Sequence, residues 1–129
     1  MKNIILIVLV SLILTGCKPS DEKVIAVGTA EFSQSLKDPD SAKYKELYFH
    51  QDDKQLDSGV NGYVCGLMNA KNGFGAYGGF RPFYVHVSVE PRFLIPLFGI
   101  SYGSSDPGVI DEFSQFDEFK KRCGEKPKV

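Results

Sequence analysis

The sequence predicts an α+β fold: a small antiparallel sheet of three to four strands, with an N-terminal and a C-terminal helix packed on one of its faces. Three observations predict it. Residues 83–90 alternate strictly, with Phe83, Val85, Val87 and Val89 facing one way and Tyr84, His86, Ser88 and Glu90 the other, which is the pattern of a half-buried antiparallel strand. Residues 59–85 carry seven of the 13 glycines and read as a hairpin, with Val60, Val64 and Met68 set against Tyr63, Cys65 and Leu67 before an Asn-Ala-Lys-Asn-Gly turn. Helical spacing appears at both ends of the chain and not between them.

Within the 129 residues, the start is read as no part of the domain. Lys2 precedes the apolar run Ile4 to Leu14, and Thr15-Gly16-Cys17 follows. One positive charge, an apolar stretch and a small-residue cleavage site make an export signal. The run is too short for a mature transmembrane helix, which needs about 20 apolar residues. The expected division is a removed signal over 1–16, a tether over 17–22, one domain over 23–124 and a frayed tail over 125–129.

From Asp21 to Lys37, the residues Ile25, Gly28, Thr29, Phe32 and Leu36 recur at helical spacing, with Ser20 or Asp21 as N-cap. Gly28 in that stripe either weakens the helix or marks a close approach to the sheet. Pro39 ends the helix, and Asp38-Pro39-Asp40-Ser41 suits a type I turn. Tyr44 to His50 alternates as a first strand, and Gln51 to Ser58 is a polar connection. Pro91 and Pro96 bracket Arg92 to Ile95, which predicts an edge strand or an irregular crossing. Tyr102 to Val109, rich in Gly, Ser, Asp and Pro, reads as a loop. Asp111 to Cys123 reads as the second helix, acidic at its start, basic at its end and capped by Gly124. Its stripe of Phe113, Phe116, Phe119 and Cys123 turns Cys123 inward, where Cys65 could meet it.

Charge and cysteine usage bound the function. With Lys2 lost alongside the signal, 14 of the 15 Lys and Arg remain against 16 Asp and Glu, so there is no basic footprint for nucleic acid. Of three cysteines, Cys17 stands directly after the cleavage site at the head of the tether, and an even pair, Cys65 and Cys123, is left in the exported domain. One disulfide between them is expected. Gly73, Gly75 and Gly78 match the dinucleotide pattern G-x-G-x-x-G, but they lead into a strand and not a helix N-terminus, so glycines serving a tight turn are the better reading. His50 and His86 stand on strands without ligand-type spacing, and they are read as solvent-facing. No catalytic residue, metal site or cofactor is predicted. The side chains that stand out for binding are the polar turn Asn69, Lys71 and Asn72 with the neighbouring Tyr77.

Two resemblances add to this. Leu14-Thr15-Gly16-Cys17 resembles the lipobox of bacterial lipoproteins, which implies cleavage before Cys17, a diacylglycerol thioether on its sulfur and an acylated amino terminus. Lys18, and not aspartate, follows the cysteine, which under the sorting rule for such lipoproteins favours the outer membrane, facing the periplasm, in a host with two membranes. Leu36-Lys-Asp-Pro-Asp-Ser-Ala-Lys43-Tyr44, Val64-Cys65-Gly66, Asn69-Ala-Lys-Asn72, Phe74-Gly75, Tyr77-Gly78 and Phe80-Arg-Pro-Phe83 resemble a phrase, LKDPDSAKF followed by VCGxxNAKNxFGGYxGFxPF, shared by small bacterial envelope proteins and lipoproteins. Leu67-Met68 departs from the Glu-Val common there, and Ala76 replaces a glycine. The likeness implies an envelope domain with the same disulfide and no particular substrate. The expectation is a lipid-anchored, non-enzymatic binding or accessory module, touching the membrane through Cys17 and an envelope protein or cell-wall partner through its fold. A cell-wall-directed enzyme or inhibitor using the Asn69-Lys71-Asn72 turn is the alternative, and a purely structural role for that turn is a third.

Overall fold

The computed structural model describes residues 18–94 and 97–127. Its elements run α1 (Asp21–Gln34), β1 (Lys43–Gln51), β2 (Val60–Asn69), β3 (Arg81–Leu94), β4 (Leu97–Val109) and α2 (Phe116–Cys123), with 3₁₀ turns at Pro39–Ser41 and Phe113–Gln115. The strands form one antiparallel sheet in the order β1-β2-β3-β4. The α+β class, the four strands and the flanking helices are therefore as the sequence predicts. The signal and Cys17 lie outside the described residues.

Alternation on β2 and β3 builds the core. Val60, Val64 and Met68 on β2 join Phe83, Val85, Val87 and Val89 on β3 against Val24, Val27 and Phe32 of α1. Ser20 caps α1, its hydroxyl accepting from the Lys23 N–H at 3.4 Å. The buried stripe is Val24, Val27, Gly28 and Phe32, which shifts the expected face by one residue at its start and leaves Ile25 only partly buried. Gly28 is a close approach: a methyl there would lie 2.5 Å from the Val64 side chain, so the helix rests directly on β2.

Three expectations are corrected. The helices do not share a face. Residues 65 and 84 have the parity opposite to 64 and 85, and the second cluster of Cys65, Tyr84, Ile110 and Cys123, with Tyr48, Tyr63 and Phe119 against it, lies across the sheet under α2. Residues 102–109 are not a loop but part of β4, whose backbone pairs with β3 despite its glycines and serines. Edge position explains this, since Pro107 and a bulge at Asp106 are tolerated where one side of a strand needs no partner. Finally, α2 starts at Phe116, and Phe113, in the preceding 3₁₀ turn, is 94% exposed. It stacks on Phe116 at 5.8 Å between ring centroids and is no part of a buried stripe.

β3 also runs straight through Pro91. Its pairing with β2 ends at Val60↔Val89, so Pro91 sits where β3 has become a local edge and the missing N–H costs no ladder bond.

Candidate functional site

The turn between β2 and β3 is built around Asn72. Its N–H donates to the Ala76 carbonyl at 2.8 Å, its carbonyl accepts from Gly75 N–H at 3.0 Å, and its Oδ1 accepts from the N–H groups of Phe74 (2.9 Å) and Ala76 (3.2 Å). Gly75 has φ 78° and Gly79 φ 103°, left-handed values that glycine adopts without strain. Lys71 and Tyr77 face each other in a single antiparallel bridge. The glycine pattern thus serves a turn, and β3, not a helix, follows it.

The predicted quartet does come together, but its members divide. Asn69 Oδ1 accepts from Gly79 N–H at 3.2 Å, so both asparagines spend acceptors on the turn's own backbone. The Tyr77 hydroxyl donates to the Ser41 carbonyl at 3.0 Å, and Lys71 N–H donates to Ser41 Oγ at 2.9 Å, which ties the turn to the Pro39–Ser41 segment. What the turn presents outward is different: Phe74, 97% exposed, the rings of Tyr77 and Phe80, and the ammonium of Lys71. Lys43 stands over the Tyr77 ring at 4.5 Å and Lys45 over Phe80 at 4.1 Å, both within cation–π range.

Beside the turn lies a groove of about 510 Å³, between Leu36 at the end of α1 and Asn72, Gly73 and Gly78. Lys37, Lys71 and Arg81 line it over Met68, Ala70 and Val109. A methyl on Gly73 would stand 3.2 Å from the Lys37 ammonium, which therefore leans over the turn. Arg81 pairs with Asp111, and among the described residues Lys37 and Lys71 have no carboxylate within ion-pair distance. An apolar floor rimmed by unneutralised cations suits an anionic ligand with an apolar portion. Lys37, Lys43 and Lys45 escaped the sequence reading because they come from just past the end of α1 and from β1, distant in the chain from the turn.

A second polar cluster occupies the α2 face of the sheet. His86 is only partly solvent-facing: its Nε2 lies 2.7 Å from Asp52 Oδ2, which also accepts from Asn61 Nδ2 at 2.7 Å, and its ring meets Tyr63 edge-on at 4.9 Å. Asp106, at φ 50° in the β4 bulge, accepts from the Tyr63 hydroxyl at 3.2 Å and from Arg122 Nε at 2.7 Å. Arg122 stacks over Tyr84 at 4.8 Å and also pairs with Glu118. Ser105 stands opposite His86 in the β3–β4 register, yet among the described residues no hydroxyl or thiol bonds to that imidazole. Cys65 is joined to Cys123, so no Cys/His nucleophile pair forms. Among the described residues no three His, Cys, Asp or Glu side chains group as metal ligands. The cluster fastens α2 and the Gln51–Ser58 connection onto the sheet.

The hydrogen bond from Arg122 holds the Asp106 carboxyl below its ordinary range, against the opposing effect of its partial desolvation. A carboxyl depressed in the folded state contributes stability above its unfolded pKa of about 3.9, and loses it as pH falls through the lower folded value. Asp106→Asn keeps the left-handed backbone and removes the charge. Urea midpoints followed from pH 7 to pH 2 are expected to show wild type ahead at neutral pH and the two curves converging below about pH 4. A constant gap across that range would assign the effect to the bulge and not to the ion pair.

No protein family, curated protein or solved structure was found to match the chain.

Proposed function

We propose that this chain is a non-enzymatic binding or accessory module of the bacterial cell envelope, anchored through lipid on Cys17 and, in a host with two membranes, held on the outer one facing the periplasm. One observation carries the reading: the start of α1 and the Asn69–Phe80 turn lie at opposite ends of the sheet. Ala26 and Val27 lie beside Tyr102, which pairs with Val89, whereas Phe32 packs on Phe83 and Tyr44 at the end next to the turn. Lys18, the first described residue, adjoins Cys17 and leads into α1. The nine residues Arg81 to Val89 separate these ends by roughly 27 Å at the usual rise of a strand. A lipid at Cys17 would hold the turn and its cationic groove away from the bilayer, toward envelope material.

Anionic cell-wall polymer is the partner class that the groove's charge favours. Incubating the folded domain with cell-wall fragments should show binding that Lys71→Ala with Tyr77→Ala reduces by about tenfold, the effect of losing roughly 1.4 kcal/mol of cation and ring contacts. Unchanged binding by the double variant would move the partner site elsewhere. The second reading, an enzyme or inhibitor acting on cell-wall material through Asn69, Lys71 and Asn72, would require turnover or inhibition that one of those substitutions abolishes. The hydrogen bonds already made by both asparagines weigh against it. Lipid mass on the amino-terminal peptide of the membrane fraction tests the anchor, and an unmodified soluble chain would refute it.

A further inference from the structure

Beyond Val60↔Val89 the β3–β4 hairpin continues alone for five rungs, from Glu90↔Ser101 to Leu94↔Leu97. At about 3.4 Å per rung this extends on the order of 15 Å past the last β2 residue. Its sequence changes character there. Glu90 and Arg92 are its last charges, and the ten residues 93–102, Phe-Leu-Ile-Pro-Leu-Phe-Gly-Ile-Ser-Tyr, contain none. The farthest described rungs are Phe93↔Phe98 and Leu94↔Leu97.

This apolar ribbon extends from the end of the sheet at which α1 begins. Tyr102, half-exposed on β4, packs beside Lys23, Ala26 and Val27, and Ser104 donates to Glu31 at 3.1 Å. The chain leading to Cys17 and the uncharged end of the hairpin therefore share one end of the domain.

We infer that the Phe93-Leu94/Leu97-Phe98 end of the hairpin enters the bilayer at the surface where the Cys17 lipid is anchored, as a second, protein-borne contact. This rests on the lipid-anchor reading for its geometry. The two charge-free outermost rungs, Phe93↔Phe98 and Leu94↔Leu97, span about 7 Å, within the roughly 5–10 Å to which interfacial apolar segments sink at the headgroup–acyl boundary. Arg92, on the next rung back, then falls at headgroup level, where a long cationic residue is favoured. The connection from β1 to β2 carries Asp52, Asp53 and Asp57 against Lys54, so attraction to anionic lipid is not the driving term. Insertion should proceed on zwitterionic vesicles and be insensitive to salt.

The chain has no tryptophan, so a single introduced one reports alone. The full acylated chain carrying Phe98→Trp, reconstituted with phosphatidylcholine vesicles containing brominated acyl chains, should show blue-shifted, quenched emission. Phe74→Trp, at the opposite end, should remain red-shifted and unquenched. A Phe98→Trp chain that floats with the vesicles yet escapes quenching overturns the insertion. Repeating the assay with Cys17→Ser separates the two readings. If Cys17 carries no lipid, native and Cys17→Ser chains partition alike, while the tryptophan still reports on the hairpin. In the Cys17→Ser background, Leu97→Asp with Phe98→Asp should weaken vesicle partitioning by at least about tenfold, since charged residues are strongly disfavoured in hydrocarbon. Equal partitioning with and without the aspartates overturns the insertion. A blue shift without vesicles, accompanied by dimerisation on sizing, would overturn it in favour of a second copy of the chain.

Discussion

Replacing Cys65 and Cys123 together by alanine is expected to lower the free energy of unfolding by about 4 kcal/mol, from the entropy of closing a loop of this length in the unfolded chain. The cysteines are 58 residues apart, with Cα atoms separated by 6.0 Å, and both are fully buried. Their neighbours make the effect local as well as global. α2 has eight residues, below the length at which a helix holds itself in water, and Cys123 is its one fully buried side chain. Without the bridge, α2 is held to the sheet by the Arg122–Asp106 pair, the Arg122 stack over Tyr84 and the partial burial of Phe119, while its Arg122–Glu118 pair lies within the helix; such partly exposed pairs are of small worth. Tyr84 and Tyr63 would then lose their cover. The check is urea unfolding of the oxidised wild type against the double variant, with reduced wild type as a third sample. A difference below about 1 kcal/mol would mean that α2 docks by packing alone and that the bridge merely records it.

Much of this arrangement was legible in the sequence, and its failures have physical causes. The alternation of β2 and β3 predicted the core face of both strands, because a half-buried sheet leaves a period-two trace. The same alternation contained the answer to the helix layering. Cys65 has the parity opposite to Val64, so a helix bound to Cys65 has to lie across the sheet from one packed on Val64. β4 left no such trace, since its strand character comes from the hydrogen-bonding edge that β3 offers and not from its own Gly, Ser and Pro residues. In the turn, the asparagines and Tyr77 were found by composition, but their division into residues that build the turn and residues that face outward depends on hydrogen bonds to Ser41, 36 residues away from Tyr77. The Asp52–His86 and Asp106–Arg122 pairs join segments 34 and 16 residues apart, and no local spacing announces them.

Phe83→Ala is expected to cost about 3–5 kcal/mol, the range for truncating a fully buried aromatic that leaves a cavity. Phe83 has 0% exposure and lies 4.7 Å from Phe32 and 5.2 Å from Tyr44 between ring centroids, so three elements meet on one ring. Its loss would loosen the C-terminal turn of α1 through Phe32. It would also loosen β1 through Tyr44, whose hydroxyl lies 2.7 Å from Ser33 Oγ and donates to the Thr29 carbonyl at 3.3 Å. The end of the sheet affected is the one that carries the Asn69–Phe80 turn, so the groove should widen even in molecules that stay folded. Phe113→Ala removes the same ring from the α2 side, yet Phe113 is almost wholly exposed, and its loss should stay within about 0.5 kcal/mol. A cycle of Phe32→Ala and Phe83→Ala, read by chemical unfolding, should return a coupling of about 0.5–1.5 kcal/mol for the aromatic contact. Strict additivity would instead mean that the sheet, and not this ring cluster, fixes where α1 ends. In that case the spacing between Lys37 and the turn would have to be set by the Pro39–Ser41 segment alone.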